Sequence, residues 1–158
     1  MRAVAIEAFG GRDRLQLIEA PEPQAGPGEV RLRVAAAGVN PVDWKIREGL
    51  TQGRFPHEFP LILGWEAAGT VDQVGDGAAG FAPGDEVYTY CRKPKLQAGA
   101  YAEYVTVPAA HVARRPRNIS AQQAAGVPLA GLTAYQALFD VADLRGTEVV
   151  LVHAAAGG

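Results

Sequence analysis

This sequence predicts a mainly β fold, a small and strongly curved barrel with short helices at its margins. Three observations lead there. Between residues 60 and 90, short apolar runs alternate with Gly64, Gly69, Gly75, Gly77, Gly80 and Gly84, so strands are bent repeatedly where a side chain would obstruct the turn. Glu29–Ala37 sets Val30, Leu32, Val34 and Ala36 against Glu29, Arg31 and Arg33, the period of a strand with one buried face. Nineteen glycines and eleven prolines among 158 residues favour many turns and short strands over a helical bundle.

In chain order, residues 2–7 and 15–19 read as a first strand pair, joined through Gly10 and Gly11 by a loop too long for a tight hairpin. Pro21, Pro23, Gly26, Pro27 and Gly28 mark an irregular crossing into the alternating strand. Asn40 suits a helix N-cap, Pro41 the first helical position and Gly49 a stop, so the strand delivers Asn40 to the entrance of a short helix. Residues 50–60, with Gly53, Pro56, His57 and Pro60, are expected to form a loop. Ala82-Pro83-Gly84-Asp85 fits a type II turn, because proline presets φ at its second position and glycine accepts positive φ at its third. Val87, Tyr88, Thr89 and Tyr90 then favour a strand.

Residues 91–99 are expected to be a polar loop, with Arg92, Lys93 and Lys95 solvated rather than gathered into an anion site. Residues 100–108 are a further strand candidate. Ser120 and Gln123 have the spacing of a capping box, and the helix they open should stop before Pro128. A second helix opens at Pro128, with Leu129, Leu132, Tyr135, Leu138, Phe139 and Ala142 along one side, and ends at Arg145-Gly146. Glu148-Val149-Val150-Leu151-Val152 is a β-branched run of the kind found in buried parallel strands.

Composition narrows the functional classes. The length suffices for one domain with a real core. A net charge of −2 offers no basic footprint for nucleic acid, and no run of about 18 apolar residues suggests a membrane span. The first residues read as a strand rather than a signal peptide, so export is not expected. Cys91 is the only cysteine; it cannot form an internal disulfide, and a reducing cytoplasm is the simplest location.

Gly64-Trp65-Glu66-Ala67-Ala68-Gly69-Thr70-Val71, then Val74-Gly75-Asp76-Gly77, then Phe81-Ala82-Pro83-Gly84-Asp85-Glu86-Val87 resembles the catalytic-domain signature of the medium-chain dehydrogenase/reductase superfamily. The zinc-free quinone oxidoreductase branch is the nearest likeness. The resemblance implies a GroES-like barrel over residues 1–127, the substrate domain, and from residue 128 to 158 the first helix and strand of a Rossmann nucleotide domain. It covers essentially the whole chain, which corresponds to about the first half of a family enzyme. A strand leading into a glycine-rich turn is the first half of a dinucleotide-binding unit; here Ala156, Gly157 and Gly158 would begin the phosphate loop. The chain is therefore expected to be a fragment, inactive and unable to bind nucleotide by itself.

The same resemblance assigns the chemistry. Where zinc-dependent relatives place metal ligands, this chain has Asn40, Trp65 and Val127, and an indole cannot ligate zinc. His57, His111 and His153 make no ligand spacing, so no metal is expected. Without a metal, hydrogen bonds must stabilise the oxyanion or enolate that develops during hydride transfer. Asn40, in an Asn-Pro-x-Asp element like that of zinc-free reductases, is the candidate beside both nicotinamide and substrate; its plainer role is a helix cap, and both are compatible. Asp43 and Lys45 either shape the pocket or serve as a first-turn residue and a solvated cation. Trp65 either walls an apolar substrate pocket or packs the core. Thr133 matches a position near the nicotinamide, with a helix-surface hydroxyl as the alternative. Related reductases carry a tyrosine after the helix as proton donor, whereas this chain has Gly49-Leu50-Thr51-Gln52, so the donor is unassigned.

The expectation is a zinc-independent reductase using NADPH, with NADH the alternative, to reduce a quinone or an enone. It would act as a homodimer, with no nucleic-acid or membrane partner. A zinc alcohol dehydrogenase and a non-catalytic GroES-like binding module are the rival readings.

Overall fold

The computed structural model describes residues 1–153 and 155. The alternating segment forms the strand predicted, Glu29–Ala37 (β3), antiparallel to Glu66–Val74 (β5) on one side and to Tyr104–Pro108 (β8) on the other. Pairing continues from β5 to Glu86–Tyr90 (β6) and from β6 to Val112–Arg114 (β9), giving the order β8-β3-β5-β6-β9. In the second sheet, Arg2–Ile6 (β1) lies between Gln16–Glu19 (β2) and His57–Ile62 (β4), and β4 pairs in parallel with Leu96–Ala98 (β7). The result is the curled half-barrel of a GroES-like domain, mainly β with few short helices.

The period-2 pattern decides what is buried. Val30 and Leu32 are fully buried in one cluster with Val71, Val87, Val105 and Val107, while Arg33 between them and Val34 stays exposed. Ile6, Leu61, Leu63 and Leu96 form a second cluster, into which Ile46 fastens the helix Pro41–Arg47 (α1). Curvature comes from register shifts between β3 and β5 at Arg31/Leu32 and Val34/Ala36, as bulges produce. At the second shift only glycine fits, since a Cβ on Gly69 would lie 2.1 Å from the Arg33 carbonyl oxygen. The turn into β6 is the one expected: Gly84 has φ 97°, and the Asp85 N–H donates to the Ala82 carbonyl at 3.1 Å.

Two expected loops contain strands. Residues 50–60 were expected to be irregular, yet β4 begins at His57; Pro60 is tolerated because the ladder contacts fall on His57, Leu61 and Ile62, where its missing donor is not needed. The cationic loop after Tyr90 likewise contains β7, with Cys91 and Leu96 buried. Its cations are dispersed: Lys95 pairs with Glu58, Lys93 donates to the Thr106 hydroxyl at 3.0 Å, and Arg92 lies over the Phe55 and Trp65 rings.

The helices follow their caps. Ser120 and Gln123 form the capping box of Ala121–Ala125 (α2), whose Ala124 and Ala125 pack on Ala68 of β5. Pro128–Tyr135 (α3) follows and continues as a π-helical turn over Gln136–Val141, ending earlier than Arg145-Gly146. Leu132, Tyr135 and Phe139 are exposed. The run 148–152 joins no ladder among the described residues, and Val149, Leu151 and Val152 are exposed; a parallel strand is stable only between neighbours that share its hydrogen bonds and cover both faces. No helix among the described residues is long and apolar enough to cross a membrane.

Candidate functional site

The entrance of α1 is where the sequence places its chemistry, and local rules build it. Asn40 has extended backbone angles, Pro41 fills the first helical position, and the Asp43 carboxylate reaches back to accept from the Asn40 N–H at 2.8 Å. The Asp43 N–H donates in turn to the Asn40 carbonyl at 3.0 Å. Asp43 is nearly fully buried and accepts a second bond from the Tyr101 hydroxyl at 2.9 Å, on the same Oδ2. Its Oδ1 has no partner among the described residues. Burial pushes the Asp43 carboxyl above the usual aspartate range, against the opposing pull of the Asn40 N–H, the Tyr101 hydroxyl and the Gly64 amide. Burial, reinforced by the Asp43 charge, raises the Tyr101 phenol as well.

The Asn40 side chain turns away from this cap. Its Nδ2 donates to Glu66 Oε1 at 2.6 Å, and Glu66 Oε2 accepts from the Leu129 backbone N–H at 2.7 Å. Glu66, 1% exposed, thus ties the start of α1 to the start of α3 through the first residue of β5. Gly38 makes the room, because a Cβ there would stand 2.1 Å from Glu66 Oε1 and 2.6 Å from the Ala125 carbonyl oxygen. These bonds join Asn40 to the chain neighbours of Trp65 and Val127, since Glu66 follows Trp65 and Leu129 lies two residues past Val127.

Trp65 is half-buried in an aromatic group, edge-on to Phe55 at 5.7 Å and to Tyr90 at 6.3 Å. It lines a narrow pocket with Ile46, Gly64 and Arg92 that does not include Asn40. Tyr90 also borders a second cavity, of about 310 Å³, between β6 and α3, with Tyr88, Val127, Pro128 and Leu132 among its walls. Lys45 is exposed, its ammonium 5.7 Å from the centre of the Trp44 ring. Thr133 is exposed and donates to the Leu129 carbonyl within its own helix at 2.7 Å. Lys45 and Thr133 have no side-chain hydrogen bond to Asn40, Asp43 or Trp65 among the described residues. Ala156, Gly157 and Gly158 lie outside the described residues.

Sequence reasoning missed Glu66, Tyr101 and Gly38 as parts of this arrangement. Glu66 alone carried a signal, as a lone acid at the head of an apolar run that begins a buried strand, where a charge needs partners. Cys91 offers no nucleophile: burial pushes its thiol up to about 12, and its Sγ faces the Gly64 carbonyl oxygen at 3.9 Å.

Zinc, which the family uses in its alcohol dehydrogenase branch, does not fit these residues. Asn40 supplies at most an amide oxygen, Trp65 and Val127 supply nothing, and no group of three or more His, Cys, Asp or Glu that could hold a metal exists among the described residues. Catalytic zinc needs three such ligands and an open position.

In this half-barrel Glu66 links a capped Asn-Pro-x-Asp helix to the head of a later helix. Residues 26–117 match the alcohol dehydrogenase GroES-like domain, and the chain belongs to that family, within the medium-chain dehydrogenase/reductase superfamily. Among its relatives is the human synaptic vesicle membrane protein VAT-1 homolog-like, 38% identical over all of this chain and 36% of that protein. The chloroplast envelope quinone oxidoreductase homolog of Arabidopsis thaliana is 37% identical over all of this chain and 49% of that protein. A mycobacterial protein solved in complex with NADPH superposes with a TM-score of 0.85 at 37% identity, over 100% of this chain and 47% of that one. The chain therefore spans about a third to a half of the length of the relatives it matches. Several of its relatives are named as quinone oxidoreductases.

Proposed function

We propose that this chain is the substrate-side part of a zinc-independent, NADPH-dependent reductase of quinones or enones, with its substrate domain ending near residue 127 and a nucleotide domain beginning at residue 128. The single observation that carries the reading is the Asn40 amide, held by Glu66 at the position where metal-using relatives would place a ligand. Hydride is what a bound nicotinamide supplies. The residues of this chain would manage the charge that hydride leaves behind. With one Nδ2 proton committed to Glu66, the second remains to donate to the acceptor's carbonyl oxygen as negative charge builds there.

An apolar acceptor suits the cavity between β6 and α3, whose size falls at the lower end of small-molecule sites and whose walls are chiefly Tyr88, Tyr90, Val127 and Leu132. Pro128 borders that cavity, and the next residue is bonded through Glu66 to Asn40. Tyr101 is unsuited to supply the proton, since its hydroxyl is engaged by Asp43 and burial holds its phenol up. Water is the remaining source, and a hydroquinone needs no more specific one.

The test uses a polypeptide in which residues 1–158 continue into a complete nucleotide domain. It should oxidise NADPH in the presence of at least one quinone or enone and contain no stoichiometric zinc. Stoichiometric zinc would favour the alcohol dehydrogenase reading. Absence of oxidation with every acceptor, together with a co-purifying protein, would favour the binding module.

A further inference from the structure

We propose that Glu66 is a positioning residue, which sets which edge of the Asn40 amide faces the substrate and ties that orientation to the placement of α3. The inference deepens the reductase reading and rests on it for its catalytic part. Three observations support it. Glu66 is buried, with one oxygen on Asn40 Nδ2 and the other on the Leu129 N–H. Pro128 has no N–H, so Leu129 offers the first free backbone donor of α3, and a carboxylate there is also favoured by the helix dipole. Gly38 leaves the Glu66 carboxylate a slot that a methyl group would fill.

The chemistry of the pair then fixes the amide. A carboxylate accepts on both oxygens, so Asn40 must present its NH₂ to Glu66, and its second N–H is left for an oxyanion. A glutamine at this site has one acceptor and one donor. With its oxygen on the Leu129 N–H, its NH₂ would meet the Asn40 NH₂, and the conflict is relieved when Asn40 rotates to offer Oδ1. That rotation replaces the donor set out for substrate by a different presentation of the amide. Asn40→Asp combined with Glu66→Gln restores a matched pair, since the Gln NH₂ donates to the new carboxylate, but it restores no donor for the oxyanion.

Three measurements separate the outcomes. In the 158-residue chain, Glu66→Gln should move the side-chain amide proton resonances of Asn40; unchanged Asn40 resonances would overturn the proposal. In the polypeptide extended through the nucleotide domain, Glu66→Gln should lower kcat with a quinone by about 10- to 100-fold, the scale of a misplaced reacting group. The KM for NADPH should stay within about twofold, because the phosphate loop rather than the Asn40 amide supplies most of the nucleotide's affinity. The Asn40→Asp/Glu66→Gln pair should regain the wild-type melting temperature without regaining kcat. A kcat for Glu66→Gln within about twofold of wild type, or recovery of kcat along with melting temperature in the pair, would refute the positioning role. Should the unaltered extended protein reduce no acceptor, the reductase reading fails by itself, and the Asn40 resonances still decide whether Glu66 orients the amide.

Discussion

Asp43 is an acid placed by a local rule and made unusual by distant neighbours. As the third residue of a capped helix it belongs where a carboxylate satisfies the Asn40 N–H, and this much is legible from four consecutive letters. Its burial, its bond from Tyr101 58 residues away and its orphaned Oδ1 are not, because they depend on how β1, β4 and the segment after β7 close over α1. The consequence is a pH effect of definite sign. An unfolded aspartate titrates near 3.9, and burial holds the folded Asp43 above that. Between the two values the native state retains a proton that the unfolded chain has lost, so the contribution of Asp43 to stability falls as pH rises through the window. A carbon NMR titration of the Asp43 carboxyl in the folded chain should give a midpoint above 3.9. A midpoint at or below that value would mean that the three donors outweigh burial.

At the scale of elements, the strand β3 and both capped helices could be read directly, since alternation, Asn40-Pro41 and Ser120-x-x-Gln123 act within a few residues. The strands β4 and β7 could not. β4 is specified by β1 and β7 and β7 by β4 rather than by their own letters, and the proline within β4 and the cations just before β7 carry the local signature of loops. The partners of Glu66 were hidden for the same reason, lying 26 and 63 residues away. The glycines of the central stretch were legible as bends, but the function of Gly69 is more specific than a bend. It lets β5 approach the bulge in β3, with room for no more than a hydrogen beside the Arg33 carbonyl oxygen. Gly69→Ala must therefore either part the β3–β5 pairing or move the bulge, and should destabilise the chain by about 2–4 kcal/mol, at or above the usual overpacking range since backbone rather than side chain must give way. Gly77→Ala is the control for glycine loss without crowding: it has open space around it but a φ of 74°, so its cost should be only the smaller conformational one, about 1 kcal/mol. Urea unfolding of the two variants checks the order, and equal losses would show that conformation rather than crowding governs Gly69.

For the molecule as a whole, the decisive contrast is between a closed half-barrel and the exposed apolar surface that follows it. The β-sheets bury their own inner faces, whereas Leu132, Tyr135, Phe139, Val149, Leu151 and Val152 remain exposed. Side chains of this size each gain about 1.5–3 kcal/mol when fully buried, so parallel strands set beside 148–152 would have a substantial driving force. Nucleotide binding depends on the same event, because a phosphate loop holds a pyrophosphate only when a fixed strand and the N-terminus of a following helix point its amides at the ligand. The residues expected to bind cofactor therefore divide: Asn40 is already fixed by Glu66, while Thr133 stands on an uncovered helix and bonds its own backbone. Calorimetric titration of NADPH into the 158-residue chain should accordingly give no saturable heat at micromolar concentration. The polypeptide continued through a complete nucleotide domain should bind NADPH and also melt at a higher temperature than the 158-residue chain, since the same strands that complete the phosphate loop cover the apolar run. Micromolar binding by the 158 residues alone would show that the half-barrel and α3, not the completed sheet, supply most of the affinity for the cofactor.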